Sequence, residues 1–354
     1  MPVTIPCIWE RIVLLEKFSN VCAAAGDEED IRAAIKKEIT DCVDEISTNP
    51  LGNLIARKSG EESSSSILVT AHMDEVACIV KSVEKNGLIK FHTIGGIVGA
   101  ILPGNPVAVG RNRVPGVVAC KSYHIMPEEE RKKVPEVKDL CIDIGAGSRE
   151  EVKDISCGDY IYFRSKFFTQ NGCFYGKAFD DRAGCAALCE LFREYGKGKP
   201  PLEIVGTFCA QEEVGLRGGA TAAFGLQGLL FNLNLEGTTC SDRELKKSYS
   251  PVTELGRGPA ITFMDRTTIT NRKLFEFVVS VAEKEGIPFQ LKRGTAGGTD
   301  AGLIHLTEEG VPSVTVSVPV RYIHSPWCIM SGEDFQSYIA LAKAVVQEAP
   351  VFSL

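Results

Sequence analysis

The chain has 354 residues, of which 44% are hydrophobic and 24% are charged. This composition is typical of folded proteins and excludes disordered and collagen-like chains; at about 150 residues per domain it predicts one or two domains. The 39 basic and 46 acidic residues give a net charge of −7. Because no basic surface dominates this balance, we expect no nucleic acid partner.

The sequence carries no sign of a membrane or export segment. No stretch reaches the roughly 18 to 20 apolar residues that span a bilayer, and residues 1–6 lack the basic and apolar regions of a signal peptide. We therefore expect a cytoplasmic protein with no membrane partner.

The cysteines and histidines limit the chemistry that is available. Thirteen cysteines are too few for a disulfide scaffold in a chain this long, and some lie in apolar runs such as residues 185–189, so we expect reduced core residues. No Cys-x-x-Cys pair occurs, which excludes zinc ribbons and thioredoxin-like motifs. With only five histidines, any metal site must also use carboxylates.

The first elements of the chain are helical. Apolar residues at helical spacing predict two helices within residues 8–43, separated at Gly26. After an expected polar loop at residues 61–66, the apolar run Ile67–Ala71 predicts a strand that is buried on both faces. This strand places His72 at its carboxyl end.

The remaining chain divides into a β-rich block and an α/β region. From Val76 to Ser165, short β-rich runs with turn signals such as Asn86-Gly87 predict a separate β domain. Beyond it we predict helices over 182–194, 271–285 and 333–347 and strands over 203–209, 229–235 and 313–318. The simplest architecture is one α/β domain, residues 1–75 and 166–354, with a β domain, residues 76–165, inserted into it.

Several ionisable residues follow the predicted strands or precede a predicted helix. In open α/β sheets, ligands bind beyond the carboxyl ends of the strands. The candidates for chemistry are His72, Asp74, Asp180, Asp181, Glu212, Glu213, Glu236 and His324. Imidazole and carboxylate both suit zinc or cobalt, and a carboxylate can bridge two ions. A single metal site at one edge of the sheet explains why these residues all follow strand ends better than independent coincidences do.

Each candidate also has a purely structural explanation. A histidine at a strand end is more often a hydrogen-bonded residue than a ligand. Asp74 and Glu236 fit turns, and the pair Asp180-Asp181 fits a helix N-cap. Basic residues interleaved with acidic ones are typical of charge balance, although one could bind a substrate carboxylate. They are Lys177, Arg182, Arg217, Arg293 and Arg321.

Five motifs occur in order along the chain. They are Ala-His-Met-Asp-Glu-Val at 71–76, Gly-Lys-Ala-Phe-Asp-Asp-Arg at 176–182, Gln-Glu-Glu-Val-Gly-Leu-Arg-Gly at 211–218, Leu-Glu-Gly-Thr-Thr at 235–239 and Arg-Tyr-Ile-His-Ser-Pro at 321–326. Together they closely resemble the tetrahedral (TET-like) metallo-aminopeptidase family, which includes the glutamyl aminopeptidases and proteins once labelled cellulases. The likeness extends into the β-rich block at Ile94-Gly95-Gly96 and at residues 143–146.

The resemblance implies a fold and an assembly. The fold is a zinc-peptidase-like three-layer α/β/α domain with an inserted, small, barrel-like (PDZ-like) domain that mediates dimerisation. The implied assembly is a homo-oligomer in which dimers form a hollow tetrahedral dodecamer that admits only peptides.

The resemblance also implies two divalent ions per subunit, zinc or cobalt. His72, Asp180 and Glu236 would hold one ion. Asp180, Glu213 and His324 would hold the second, so that Asp180 bridges the two.

The implied activity is the release of N-terminal amino acids from peptide substrates. Glu212 would be the general base for a metal-bridged water that attacks the scissile carbonyl. Asp74 would hydrogen-bond the far nitrogen of His72 and fix its tautomer. One ion would also bind the free α-amino group of the substrate, which makes the enzyme an exopeptidase.

Departures from the family pattern keep alternatives open. Glu236 stands where many members have aspartate, and Trp327-Cys328 stands where an acidic residue is usual. That loss could loosen the loop that carries His324 or make the site sensitive to oxidation. A catalytically silent scaffold of the same fold is therefore one alternative. A related amidohydrolase is a second, and a glycoside hydrolase is a third, although its two-carboxyl mechanism leaves the histidines without a role.

Overall fold

The computed structural model describes residues 8–243 and 250–353 of the chain, and these residues form both helices and strands. Within these residues the α-helices are α1 Ile8–Asn20, α2 Glu29–Ile39, α3 Glu128–Arg131, α4 Phe179–Tyr195, α5 Gly219–Ala222, α6 Arg272–Lys284, α7 Ala301–Ile304 and α8 Gly332–Glu348. The strands are β1 Glu45–Thr48, β2 Leu54–Lys58, β3 Glu62–His72, β4 Ala77–Val83, β5 Ile89–Ile94, β6 Pro106–Val109, β7 Val114–Ala119, β8 Cys141–Asp143, β9 Tyr160–Phe163, β10 Phe168–Gln170, β11 Cys173–Gly176, β12 Leu202–Cys209, β13 Leu229–Thr239, β14 Ala260–Thr262, β15 Gln290–Leu291, β16 Ser313–Arg321 and β17 Cys328–Ser331.

One mixed sheet organises the larger part of the molecule. Its order is β1-β2-β12-β3-β13-β16-β17-β11-β10, with β14 beside β16 and β15 beside β14. The four inner strands β12, β3, β13 and β16 are parallel to one another. Their carboxyl ends therefore meet at one edge, where His72 lies opposite Cys209 and Glu236 lies opposite Ser317.

Both faces of this sheet are covered. In β3, Ile67 and Val69 pack on the side of α1, α2, α4, α6 and α8, whereas Leu68 packs on the other side with Ala222 of α5 and Ile304 of α7. Alternate side chains of a strand point to opposite faces, so a continuous apolar run is what a sheet covered on both sides requires. The predicted three-layer α/β/α class is confirmed.

A closed barrel follows β3 directly. Its strand order is β4-β5-β8-β7-β6-β9, and it spans residues 77–163, inside the expected insertion of residues 76–165. The barrel has its own apolar core, which includes Val80, Phe91 and Ile161. The expected hairpin at Asn86-Gly87 joins β4 to β5, and Gly87 has the positive φ (83°) that such a turn favours.

Two expectations about local structure were wrong. The expected loop at residues 61–66 belongs largely to β3, because the backbone of this polar segment pairs with neighbouring strands, as at Ser66 opposite Glu203. Strand pairing uses backbone groups, so it can extend past the apolar part of a run. The cysteines are also not uniformly internal. The twelve that are described are free, and six are buried, but Cys120 and Cys157 are exposed.

Residues 1–6, the basis for expecting no signal peptide, lie outside the described residues. Within the described ranges, no helix combines the length and the apolar character needed to cross a bilayer.

Candidate metal centre

His72, the last residue of β3, faces two carboxylates. Its Nε2 atom lies 3.1 Å from Oδ1 of Asp180 and 3.2 Å from Oε1 of Glu236. Its Nδ1 atom lies 3.1 Å from the backbone carbonyl oxygen of Asp74. A donated Nδ1–H···O bond to this carbonyl leaves the Nε2 lone pair directed toward the carboxylates, as a metal-ligating histidine requires.

His324 meets the same aspartate from the opposite side. Its Nε2 atom lies 3.2 Å from Oδ2 of Asp180 and 3.4 Å from Oε2 of Glu213. Its ring also packs on the loop that follows β5, since a Cβ atom added to Gly96 would lie 2.9 Å from Nδ1. The inserted barrel therefore forms one wall of the cluster.

The pair Asp180-Asp181 was expected to act either as a helix N-cap or as part of a metal site. In the structure, Asp181 takes the first position and Asp180 the second. Both residues have non-helical backbone angles at the start of α4. Asp181 acts as a cap, because Oδ1 accepts the N–H of Gly184 at 2.9 Å, and its Oδ2 accepts the N–H of His72 at 3.2 Å. Asp180 points into the cluster, and Gly237 makes room for it, since a Cβ atom there would lie 3.0 Å from Asp180.

Glu212 and Glu213 lie in a turn after β12 that Asp74 holds in place. The carboxylate of Asp74 accepts the backbone N–H groups of Glu212 at 2.9 Å and Glu213 at 3.0 Å. The Oδ1 atom of Asp74 also lies 3.6 Å from Nδ1 of His72, on the side where the contact is expected, although the Asp74 carbonyl oxygen is nearer to that nitrogen. Asp74 orients His72 through its backbone and the two glutamates through its side chain.

The cluster contains two three-residue groups that share Asp180. One is His72, Asp180 and Glu236, and the other is Asp180, Glu213 and His324; in each group the ligand atoms lie within 4.8 Å of one another. A third group of this kind joins His72 to Glu212 and Glu213. The buried Oε1 atom of Glu213 has no hydrogen-bond partner among the described residues. Four carboxylates around two imidazoles fit divalent cations in charge and in donor type.

The imidazoles and Asp180 stabilise one another's charged forms. Burial would lower the pKa of His72, but the charges of Glu236 and Glu212 outweigh burial and raise this pKa well above its ordinary value. Burial would also lower the pKa of His324. The hydrogen bond with Asp180 outweighs burial and raises this pKa to about 9. The pKa of Asp180 is lowered despite burial, because both imidazoles hydrogen-bond to it.

The three glutamates behave in the opposite way. Burial, followed by the charges of neighbouring carboxylates, raises the pKa of Glu212 well above its ordinary value, that of Glu213 to about 8 and that of Glu236 to about 7. Without a cation, this cluster holds protons near neutral pH. Metal binding at such a cluster must displace them.

The loop that carries His324 is held by contacts of Cys328, although Trp327-Cys328 replaces the acidic residue that is usual in the family. Cys328 is buried, and its Sγ lies 3.6 Å from the carbonyl oxygen of Tyr322 and 3.8 Å from that of Ser325. Burial and the nearby charge of Asp180 raise the pKa of this thiol to about 12. A buried, protonated thiol is poorly reactive, which argues against oxidation sensitivity at this residue.

The cluster opens into a cleft of about 270 Å³. Thr238, Lys292 and Gly298 also line this cleft. Lys292 was not among the predicted site residues, although its neighbour Arg293 was among the basic residues considered for substrate binding. The available signal was the short run Phe289-Gln290-Leu291, which marks a strand whose end carries a charge. Of the basic residues considered, Lys177 pairs with Glu75, and Arg321 pairs with Asp242.

The sheet is covered on both faces and is followed by an inserted barrel, and imidazoles and carboxylates meet at its strand ends. This combination of fold and site is typical of a hydrolase of the metallopeptidase class. The chain belongs to the M42 glutamyl aminopeptidase family, whose model matches residues 52–341. The predicted resemblance and the peptidase class are thereby confirmed.

Individual relatives share nearly the full length of the chain. The lysyl aminopeptidase of Pyrococcus furiosus is 30% identical, over 96% of this chain and 97% of its own. The TET aminopeptidase of the archaeon Thaumarchaeota archaeon SCGC AB-539-E09 is 36% identical, with a TM-score of 0.90 over 96% of this chain and 97% of its own. The Pyrococcus horikoshii TET1 peptidase, described as assembling into a tetrahedron or a large octahedral shell, is 31% identical, with a TM-score of 0.84 over 96% and 99% of the two chains.

Proposed function

We propose that this protein is a dinuclear metal-dependent aminopeptidase that releases N-terminal amino acids from peptides. The observation that carries the proposal is the position of Asp180, whose two oxygens face the Nε2 atoms of His72 and His324 at 3.1 and 3.2 Å. In this proposal His72, Asp180 and Glu236 hold one ion, and Asp180, Glu213 and His324 hold the other. A pair of zinc or cobalt ions in these positions would lower the pKa of a water molecule and stabilise negative charge on the reacting oxygens.

Glu212 is the proposed general base. Its Oε2 atom is 3.9 Å from Nε2 of His72, farther than the oxygens of Asp180 and Glu236, so it lies beside the ligands without being one of the nearest. Its raised pKa suits a group that takes a proton from the attacking water and returns it to the leaving amine. Asp74 positions this base through the backbone N–H group of Glu212.

The proposal also covers assembly and location. The inserted segment, residues 76–165, is proposed as the dimerisation domain of a homo-oligomer. A dodecamer is the proposed form because the structural relative PhTET1 is described as a dodecamer. The free state of the described cysteines suits the cytoplasm, where thiols are kept reduced.

The test is hydrolysis of aminoacyl-anilides and short peptides, each with a free and an N-acetylated amino terminus, by metal-stripped protein with zinc or cobalt added back. We expect release that depends on metal and occurs only from free amino termini. Equal release from acetylated substrates would instead indicate a related amidohydrolase. A protein that binds two ions but releases nothing would be the silent scaffold.

A further inference from the structure

Two buried polar side chains lie on the sheet directly beneath two of the candidate metal ligands. Thr70 of β3 and Asn234 of β13 are paired in register, and they precede His72 and Glu236 by two residues on their strands. Side chains two residues apart on a strand share a face, so Thr70 and Asn234 point to the same side of the sheet as the two ligands. Thr70 is fully buried, and Asn234 is only 1% exposed.

Asn234 contacts the carboxylate of Glu236. Its Nδ2 atom donates a hydrogen bond of 3.3 Å to Oε2 of Glu236, whereas Oε1 of the same carboxylate faces Nε2 of His72 at 3.2 Å. The two oxygens of Glu236 therefore have different surroundings. One lies beside the imidazole that shares the proposed ion, and the other is bound by an amide.

Thr70 fixes the orientation of the Asn234 amide. The hydroxyl group of Thr70 donates to Oδ1 of Asn234 at 2.7 Å and also lies 3.1 Å from Oδ1 of Asn232. A carboxylate that binds a metal is ionised and only accepts hydrogen bonds, so the amide nitrogen of Asn234 must face Glu236 and its oxygen must face Thr70. Donors and acceptors are then matched from Thr70 to Glu236, and a buried network that is matched in this way is rigid.

A second asparagine on the same strand shows that burial alone does not produce this contact. Asn232 lies two residues before Asn234 on β13, points to the same face and is fully buried. Its Nδ2 atom has no hydrogen-bond partner among the described residues, whereas that of Asn234 is bound to Glu236. The donor that is used is the one nearer to the metal ligands.

We infer that Asn234 is a positioning residue that binds Oε2 of Glu236, so that Glu236 offers the metal ion Oε1 alone. This inference rests on the metal centre of the proposed function. A carboxylate can bind a cation through one oxygen or through both, so a hydrogen bond that occupies one oxygen selects the other. Loss of a side chain that hydrogen-bonds a metal ligand typically lowers metal affinity by about 10- to 100-fold.

The test is a titration of the metal-free protein with zinc in competition with a chelator of known affinity, which needs no peptide substrate. Asn234→Leu nearly keeps the size of the side chain but removes the donor. It should lower the affinity for one of the two ions by about 10- to 100-fold and change the other by less than about threefold. The visible absorption of the cobalt-loaded protein should also change, because it depends on the number and arrangement of the ligands.

Asn232→Leu is the matched control, because it makes the same change on the same strand and removes a partner of Thr70 while Glu236 keeps its own. It should leave both zinc affinities and the cobalt spectrum unchanged. Equal losses of affinity in the two leucine variants would overturn the inference, because disruption of the buried polar side chains would then be the cause. A folded Asn234→Leu protein with the affinities of the wild type would overturn it as well.

Asn234→Ser provides a second variant in case the leucine variant does not fold. Serine is polar but too short to replace the amide, so the same ion should bind more weakly, and unchanged affinities in this variant would refute the inference. The titration also separates the inference from the proposed activity. If no peptide is hydrolysed but two ions bind, the proposed activity fails and the affinities still decide the role of Asn234. A wild type that binds no zinc would refute both.

Discussion

Asp180 presents one carboxylate oxygen to each of two imidazoles, and this double contact decides its chemistry. Burial alone would favour its neutral form, yet hydrogen bonds from His324 and His72 lower its pKa. Asp180 therefore stays ionised near neutral pH, whereas the pKa values of Glu213, about 8, and Glu236, about 7, leave these glutamates partly protonated there when no cation is bound. An ionised carboxylate that lies between the imidazoles of His72 and His324 is suited to bridge two ions.

Replacing Asp180 by asparagine should remove both ions. The amide keeps the shape but offers one neutral oxygen in place of a shared anion, so we expect metal content to fall well below one ion per chain. Elemental analysis after dialysis against zinc measures this directly. Asp159→Asn, on a barrel residue outside the cluster, is the control, and two bound ions in Asp180→Asn would contradict the bridging role.

Replacing Glu212 by glutamine should separate turnover from metal binding. The amide cannot accept a proton, so kcat should fall about 100- to 10,000-fold, the usual contribution of a general base, while two ions remain bound. Steady-state kinetics and metal analysis of the same preparation test both halves. Glu309→Gln, at an exposed position, should match the wild type, and a Glu212→Gln enzyme with normal kcat would refute the assignment.

At the scale of the element, a buried ion cluster joins three parts of the fold where the barrel leaves the sheet. Lys177, just before α4, forms two bonds with Glu75, which also accepts the backbone N–H of Ala23 after α1. Arg182 of α4 lies 3.6 Å from the same carboxylate. The contact holds α1, the start of α4 and the end of β3 in one arrangement, and this fixes the approach of Asp180 to His72.

Lys177→Met should destabilise the protein because it leaves a buried carboxylate without its main partner. We expect a loss of about 3 to 5 kcal/mol in the free energy of unfolding, measured by urea titration of the metal-free protein. Lys343→Met, which breaks a pair with the exposed Glu194, should cost less than about 1 kcal/mol. The double variant Glu75→Gln/Lys177→Met should recover part of the loss, and a single variant as stable as the wild type would exclude the role.

The sequence predicted the elements best where side-chain pattern and backbone pairing agree. The apolar run Ile67–Ala71 identified the buried part of β3, but its polar start was missed because backbone pairing leaves no side-chain signal. The candidate cluster was predicted from strand ends and from the family resemblance. Periodicity could not predict that Asp74 holds the glutamate turn or that Lys292 lines the cleft, because these contacts join segments far apart in the chain.

At the scale of the whole molecule, protonation of the cluster links stability to pH. In the metal-free protein the pKa of His324 is raised to about 9 from an ordinary value of 6.5, so its contribution is complete below pH 6.5 and is lost as the pH rises through 9. The pKa of Glu213 is raised to about 8 from 4.5, and burying its charged form costs stability over that interval. For both groups, a rise in pH lowers the stability of the metal-free protein.

The metal-free protein should therefore melt at a lower temperature at pH 8.5 than at pH 6. Zinc should raise Tm more at pH 8.5, because fewer protons then compete for the ligands. Differential scanning calorimetry of both forms at the two pH values measures the effect. Glu213→Gln, which mimics the protonated side chain, should reduce the slope of the metal-free form, and a metal-free Tm that rises with pH would contradict the assignment.

The contact between the barrel loop and His324 has a consequence for how such a protein can change. A Cβ atom on Gly95 would lie 2.7 Å from Val76 and 3.2 Å from Glu213, and one on Gly96 would meet the ring of His324. The barrel therefore cannot be replaced without regard to the residues of the cluster. A hybrid that receives the barrel of a relative must therefore also carry a loop that fits at these two glycines, because side chains there would meet Glu213 and His324.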